Sequence, residues 1–209
     1  MRPSLFGAIL LLASFTSHAE TKRPSYEEFK QDIKTKKPAL KKKPLSETKS
    51  FLFKLISHHM PEYWKGTEWN FNGTSRKPGQ GSIACGYFVT TILDDIGIPI
   101  ERVAMAQKAA SEVINAFTTN IKTFYSVDAL KKHVLAAPDN EVYIVGLDYH
   151  IGFLVRDKNK IHFIHSNSFN RKGADKENAE LSDTLAISSL FMIGSLSGND
   201  ALLKRWLEG

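Results

Sequence analysis

The sequence predicts an α+β fold, with helices first and antiparallel strands after. Two patterns carry this reading. From Ser46 to Leu135 the apolar residues recur at helical spacing, and from Glu141 onward they fall into short runs with period-two alternation. The chain shows no internal repeat. Its 209 residues suit one domain with an N-terminal extension, and an apolar share of 42% is enough for an ordinary globular core.

The extension divides in two. Arg2, the apolar run Leu5–Phe15 and the small-x-small triplet Ser17-His18-Ala19 predict a signal peptide over residues 1–19, with Glu20 opening the mature chain. The run is short for a bilayer span, and no cysteine follows Ala19 to carry a lipid. Export to a periplasmic or extracellular space is therefore expected. Residues 20–45 hold Lys36-Lys37-Pro38 and Lys41-Lys42-Lys43-Pro44, a composition that predicts a flexible, extended linker. Of the 28 Lys and Arg, one is Arg2 and nine lie in this linker, leaving 18; of the 22 Asp and Glu, four lie there, leaving 18. The net charge of +6 thus belongs to the extension. A nucleic-acid footprint on the folded body is not expected, although the tail could be drawn weakly to an anionic surface such as a cell wall.

Residues 46–209 are expected to form the folded domain. Ser46–Tyr63 reads as a helix, with Phe51, Leu52, Leu55, Ile56 and Met60 on one face. An aromatic, Gly- and Asn-rich loop runs from Trp64 to Gly81. Cys85–Ile96 is apolar on most sides and reads as a buried central helix, ended by Gly97 and Pro99. Glu101–Phe117 and Val127–Leu135 read as two amphipathic helices, the first with Ala109, Val113 and Ala116 on its stripe. Strands are expected at Glu141–Gly146, His150–Val155 and Lys160–Ser166, the last two joined by a turn over Arg156–Lys160. Phe169–Lys176 reads as a polar loop and Leu185–Ile193 as a strand or short helix. Asn199 or Asp200 caps a last helix, Ala201–Leu207.

Cys85 is the single cysteine. It stands where a Gly-rich stretch meets an apolar helix, so its thiol faces unpaired N–H groups and the positive end of the helix dipole. Both favour thiolate, the nucleophilic form. An exported chain gives it no internal disulfide partner. A thiol nucleophile needs a base and a group that orients the base. His18 leaves with the signal, and His58, His59 and His133 read as ordinary helix histidines. His150 differs: it opens a strand, and Gly152 beside it allows a close approach. Across the hairpin, a turn centred between Asp157 and Lys158 sets His150 opposite His165; one centred between Lys158 and Asn159 sets it opposite Asn167. Either could orient the imidazole, while His162 faces the other way in both registers. The Cys85 N–H, with Gln80, is a candidate oxyanion hole, and Trp69 and Tyr87 are candidate groove residues. No tight His/Cys/Asp/Glu spacing suggests a metal, and no cofactor is expected.

Cysteine at a helix start, histidine opening a strand, and a polar residue on the next strand is the order of the papain-like superfamily. Ala84-Cys85-Gly86-Tyr87-Phe88-Val89, His150-Ile151-Gly152-Phe153-Leu154 and Phe163-Ile164-His165-Ser166 resemble the three motifs of the NlpC-type cell-wall peptidases. Ala84 and Gly86 depart from that family's Asp and Ser around the cysteine. Gln80-Gly81-Ser82 and Ser166-Asn167-Ser168 are more similar to papain itself. The resemblance covers roughly Gly79 to Asn167. It implies a papain-like fold, with the cysteine on the N-terminus of a central helix packed on an antiparallel sheet. It also implies a cysteine peptidase or amidase acting through a thioester, with a peptidoglycan stem peptide as substrate. The alternatives are a papain-like protease, isopeptidase or acyltransferase on protein or lipid, or a catalytically dead exported binding protein.

Overall fold

A computed structural model describes residues 23–169 and 172–208. The expected signal peptide lies outside the described residues.

The segment read as an extended linker is instead largely helical: α1 spans Tyr26–Leu40. The Ser25 side chain accepts from the Glu28 N–H at 3.3 Å, and the Glu28 carboxylate accepts from the Ser25 N–H at 2.7 Å, a complete capping box. Phe29, Ile33, Lys37 and Leu40 are buried at helical spacing. Lys37 lays its stem along the core, donates to the Gly97 carbonyl at 3.4 Å and sits over the Trp206 ring. A long lysine stem covers apolar surface while its head finds an acceptor. The Lys-rich composition concealed this stripe.

Helix α2 (Leu45–Lys54) runs through a π-helical turn (Leu55–His59) into α3 (Met60–Trp64), matching the expected first helix of the domain. Pro61 has no N–H to offer the Ser57 carbonyl one turn back. Lys176 supplies the missing donor, reaching Ser57 O at 2.8 Å. The central helix α4 spans Cys85–Asp95 and ends at Gly97, whose φ of +84° suits glycine. The expected helix over Glu101–Phe117 is two: α5 (Arg102–Ala106) and α6 (Ala110–Phe117), separated by Gln107–Ala109. Its buried face is Val113, Ile114 and Phe117, whereas Ala109 and Ala116 are exposed.

The strands are β1 (Thr119–Phe124), β2 (Val142–Leu147), β3 (Ile151–Asp157), β4 (Lys160–Asn167), β5 (Gly173–Asn178) and β6 (Phe191–Ser195). They form one antiparallel sheet in the order β1-β6-β2-β3-β4-β5. Helix α7 (Val127–Ala136) separates β1 from β2. A short 3-10 turn (Ala179–Leu181) and α8 (Asp183–Ala186) separate β5 from β6, and α9 (Asp200–Glu208) closes the chain. β1 and β5 are the two edge strands and were not expected from the sequence: both are polar, so neither shows the alternation that marks a half-buried strand. The stretch read as a polar loop over Phe169–Lys176 runs into β5.

The sheet is covered on both faces. One face packs Ile144, Phe153, Val155 and Ile164 against α1 through α4, α6 and α9. The other packs Tyr143, Val145, Leu154 and Phe163 against α7, the 3-10 turn and α8. Double coverage explains why β2 reads as an uninterrupted apolar run and is buried at every position.

Candidate active site

The chain enters α4 from an irregular loop that is held at several points. Glu68 accepts from the Ile83 N–H at 2.8 Å, and Gly73 accepts from the Ala84 N–H at 2.9 Å. Ser166 on β4 donates its hydroxyl to the Ile83 carbonyl at 2.6 Å, which pins the approach to Cys85 against the sheet. Ala84 is extended and Cys85 is the first helical residue, as the sequence predicts. Gly86 follows because the Ala106 carbonyl lies over it: a Cβ there would come within 2.5 Å of that oxygen. This is the local reason why the serine of the resembled motif does not fit.

The thiol is half-buried and free. Burial pushes its pKa up; the N–H groups of Ile151, Gly86 and Cys85 itself, aimed at the sulfur, pull the other way and only partly offset it. The helix-start argument for a ready thiolate is therefore outweighed by desolvation in this arrangement.

His150 ends the turn between β2 and β3, where its carbonyl accepts from the Leu147 N–H at 2.8 Å. The β3–β4 register pairs Phe153 with Ile164 and Asp157 with Lys160, so the turn centres between Lys158 and Asn159. That register places Asn167 across from His150, yet the imidazole leans diagonally to His165. His150 Nε2 lies 2.8 Å from His165 Nδ1. The diagonal is open because Gly152 has no side chain: a Cβ there would stand 2.6 Å from Phe163 Cε2 and 2.9 Å from His165 Cβ. His165 stacks on Phe163 at 3.9 Å and passes its other nitrogen to Glu177, with Nε2 to Oε1 at 3.1 Å. Burial pushes His150 down to about 3, with the His165 ring adding to the effect. Burial also lowers His165, against the opposing pull of Glu177. Burial would raise Glu177, but hydrogen bonds from His165 and the Ser182 hydroxyl, with the nearby Lys172, hold it below the usual carboxylate range.

Asn167 is occupied elsewhere. Its Oδ1 accepts from the Phe169 N–H at 2.8 Å and from the Thr184 hydroxyl at 3.2 Å, so it braces the chain after β4. Gln80 is exposed in a turn and does not line the cleft at Cys85. Tyr87 packs on the core beside Cys85, and its hydroxyl accepts from Gln107 at 3.3 Å. Trp69 is half-buried, outside both clefts at the site. His162, as expected, is not part of the chain of rings.

Cys85 and His150 line one cleft of about 300 Å³ together with Ala106, Lys108, Tyr149 and Ile151. A second cleft of about 510 Å³, bounded by Asn167, Phe169, Ile187 and Leu190, meets it at Tyr149 and His150. The fully exposed Tyr149 stands between them. Among the described residues no hydrogen bond joins the thiol to the His150 ring, and no group of His, Cys, Asp and Glu is placed to hold a metal. Glu177 and Ser182 are the residues that sequence reasoning missed. Glu177 sits in the all-polar run Asp175-Lys176-Glu177-Asn178, where only the pairing of β5 with β4 reveals its inward face.

Comparison with family models, with curated proteins and with solved structures gave no match. The functional reading therefore rests on the residues.

Proposed function

We propose that this chain is an exported cysteine hydrolase that cleaves an amide bond through a thioester. The observation that carries the reading is the chain His150–His165–Glu177 ending in a cleft shared with Cys85. In the proposed cycle the Cys85 proton passes to His150 as sulfur attacks the substrate carbonyl. The imidazolium then returns that proton to the departing amine nitrogen, leaving a thioester. Water, deprotonated by His150, attacks the thioester carbonyl; the acid product leaves and the thiol is restored. The resting pair is a neutral thiol and a neutral imidazole, since burial disfavours charge on both. Substrate closing over the cleft would draw the two groups together, as catalytic hydrogen bonds commonly tighten only in the complex. The motif resemblance supports a peptidoglycan stem peptide as substrate and a periplasmic or secreted location.

Cys85→Ser tests the reading. Hydrolysis of peptidoglycan fragments should fall by at least about 10²-fold, with an unchanged circular-dichroism spectrum. Undiminished hydrolysis would sink the proposal.

A second reading is an exported binding protein with an inert thiol, favoured by the burial of Cys85 and the open link to His150. It requires slow alkylation of Cys85 by iodoacetamide, with no acceleration by substrate fragments. The hydrolase reading requires acceleration or competitive protection by those fragments.

A further inference from the structure

We infer that Glu177 is a positioning residue that fixes the protons on both site histidines, leaving His150 Nδ1 as the bare, basic nitrogen. The inference rests on the hydrolase reading for its catalytic meaning, and on the geometry of the three groups with Glu177 ionised for the proton placement.

An ionised carboxylate only accepts, so at 3.1 Å from Glu177 Oε1 the His165 Nε2 must carry a hydrogen. Glu177 is kept in that state by the Ser182 hydroxyl and by Lys172, whose Nζ lies 3.6 Å from Oε2. A neutral His165 then has a bare Nδ1, which can only accept. Its neighbour at 2.8 Å is His150 Nε2, which must therefore donate. A neutral His150 with its proton on Nε2 has its lone pair on Nδ1. That nitrogen makes no hydrogen bond among the described residues, and His150 lines both the cleft that holds Cys85 and the larger cleft beside it. One carboxylate, two rings away, so decides which nitrogen of His150 is the base. When His150 takes the thiol proton, the imidazolium keeps its Nε2 hydrogen bond to His165, and the negative Glu177 at the far end of the same two bonds stabilises the new charge.

The position of Glu177 suits this role. Its side chain is about 10% exposed and that of His165 is fully buried, so water does not compete for the bond. The pairing of Phe163 with Glu177 and of His165 with Asp175 sets Glu177 on the face of the stacked Phe163 and His165 rings.

Long-range ¹H–¹⁵N correlation spectra of the full mature chain read ring tautomers directly. The wild type should show both His150 and His165 protonated on Nε2. Glu177→Ala removes the acceptor, and the single pattern should split into both tautomers, with kcat on peptidoglycan fragments falling by about 10²-fold and KM little changed. Glu177→Gln can still accept through its amide oxygen. It should keep the wild-type tautomers and recover part of kcat, which a merely structural role would not do. A wild-type His150 protonated on Nδ1, or an unchanged single pattern in Glu177→Ala, overturns the inference. A wild type that hydrolyses nothing overturns the hydrolase reading alone, because the spectra still report the tautomers.

Discussion

The two ends of α4 both carry buried polar networks, and they are built in opposite ways. At the C-terminal end, Asp95 accepts from the Tyr26 hydroxyl at 2.7 Å, which in turn accepts from the Trp64 indole at 2.9 Å. Lys30 and Arg76 stand 3.5 Å from the same carboxylate. These cations also face the negative end of the helix dipole. Every group has a partner, and α1 supplies two of them, Tyr26 and Lys30. At the N-terminal end two neutral imidazoles connect one carboxylate to an unpartnered nitrogen of His150, a residue that lines the cleft with Cys85. The first network closes a surface. The second leaves one valence unspent at a place a ligand can reach. Burial and pairing are common to both networks; what differs is where the chain of partners ends.

The sharpest test of the contrast is pH. His150 titrates near 6.5 when unfolded and about 3 when folded. The unfolded chain then binds the extra proton, so stability is full above 6.5 and is lost as pH falls from 6.5 toward 3. His165, lowered by burial, has the same sign. The loss should approach roughly 1.4 kcal/mol per pH unit from His150 alone well inside that window. Asp95 tilts the other way: burial raises its folded pKa above the unfolded value, so its effect is to reduce stability as pH rises from the unfolded value toward the folded one. Urea melts of His150→Gln from pH 7 to 4 should show a visibly shallower acid slope than wild type. Equal slopes would break the contrast.

A smaller effect is expected at the other end of α4. Asp95→Ala leaves the Tyr26 hydroxyl only the Met60 sulfur, a weak acceptor, to donate to and removes a carboxylate partner of Lys30, at a cost of about 1–3 kcal/mol read by thermal unfolding. Hydrolysis at a temperature where the variant is folded should be unchanged. A drop in turnover there would mean the two ends are coupled along the helix. The least effect belongs to Asn167→Ala. It removes the acceptor for Phe169 and Thr184 and should lower stability by about 1 kcal/mol, with kcat within a few-fold of wild type. A collapse of kcat in that variant would return Asn167 to the role the structure gives to His165.

Much of the site was legible because it sits on strongly patterned elements. Cys85 at the start of α4 follows from a Gly-rich stretch meeting an apolar run. The shared face of His150, His165 and Asn167 follows from the two-residue period of a hairpin. The choice between His165 and Asn167 was not legible. It depends on a diagonal lean made possible by the missing side chain of Gly152 and on the prior engagement of Asn167 by Phe169 and Thr184. Helix α1 was misread although its signals were present. Ser25 and Glu28 spell a capping box, and Tyr26, Phe29, Ile33 and Leu40 keep helical spacing; lysine composition and Pro38 outweighed them.

By itself the sequence determined where Cys85 and the histidines His150 and His165 stand, the mixed helix and antiparallel-sheet class, and the placement of positive charge before Ser46. These are local properties: caps, periods and turns that act within a few residues. Only the tertiary structure decided that α1 belongs to the core, that β5 brings Glu177 under His165, and that burial keeps Cys85 and His150 neutral at rest. Desolvation and long-range strand pairing depend on what the rest of the chain lays over a residue, and no window of neighbouring residues contains that information.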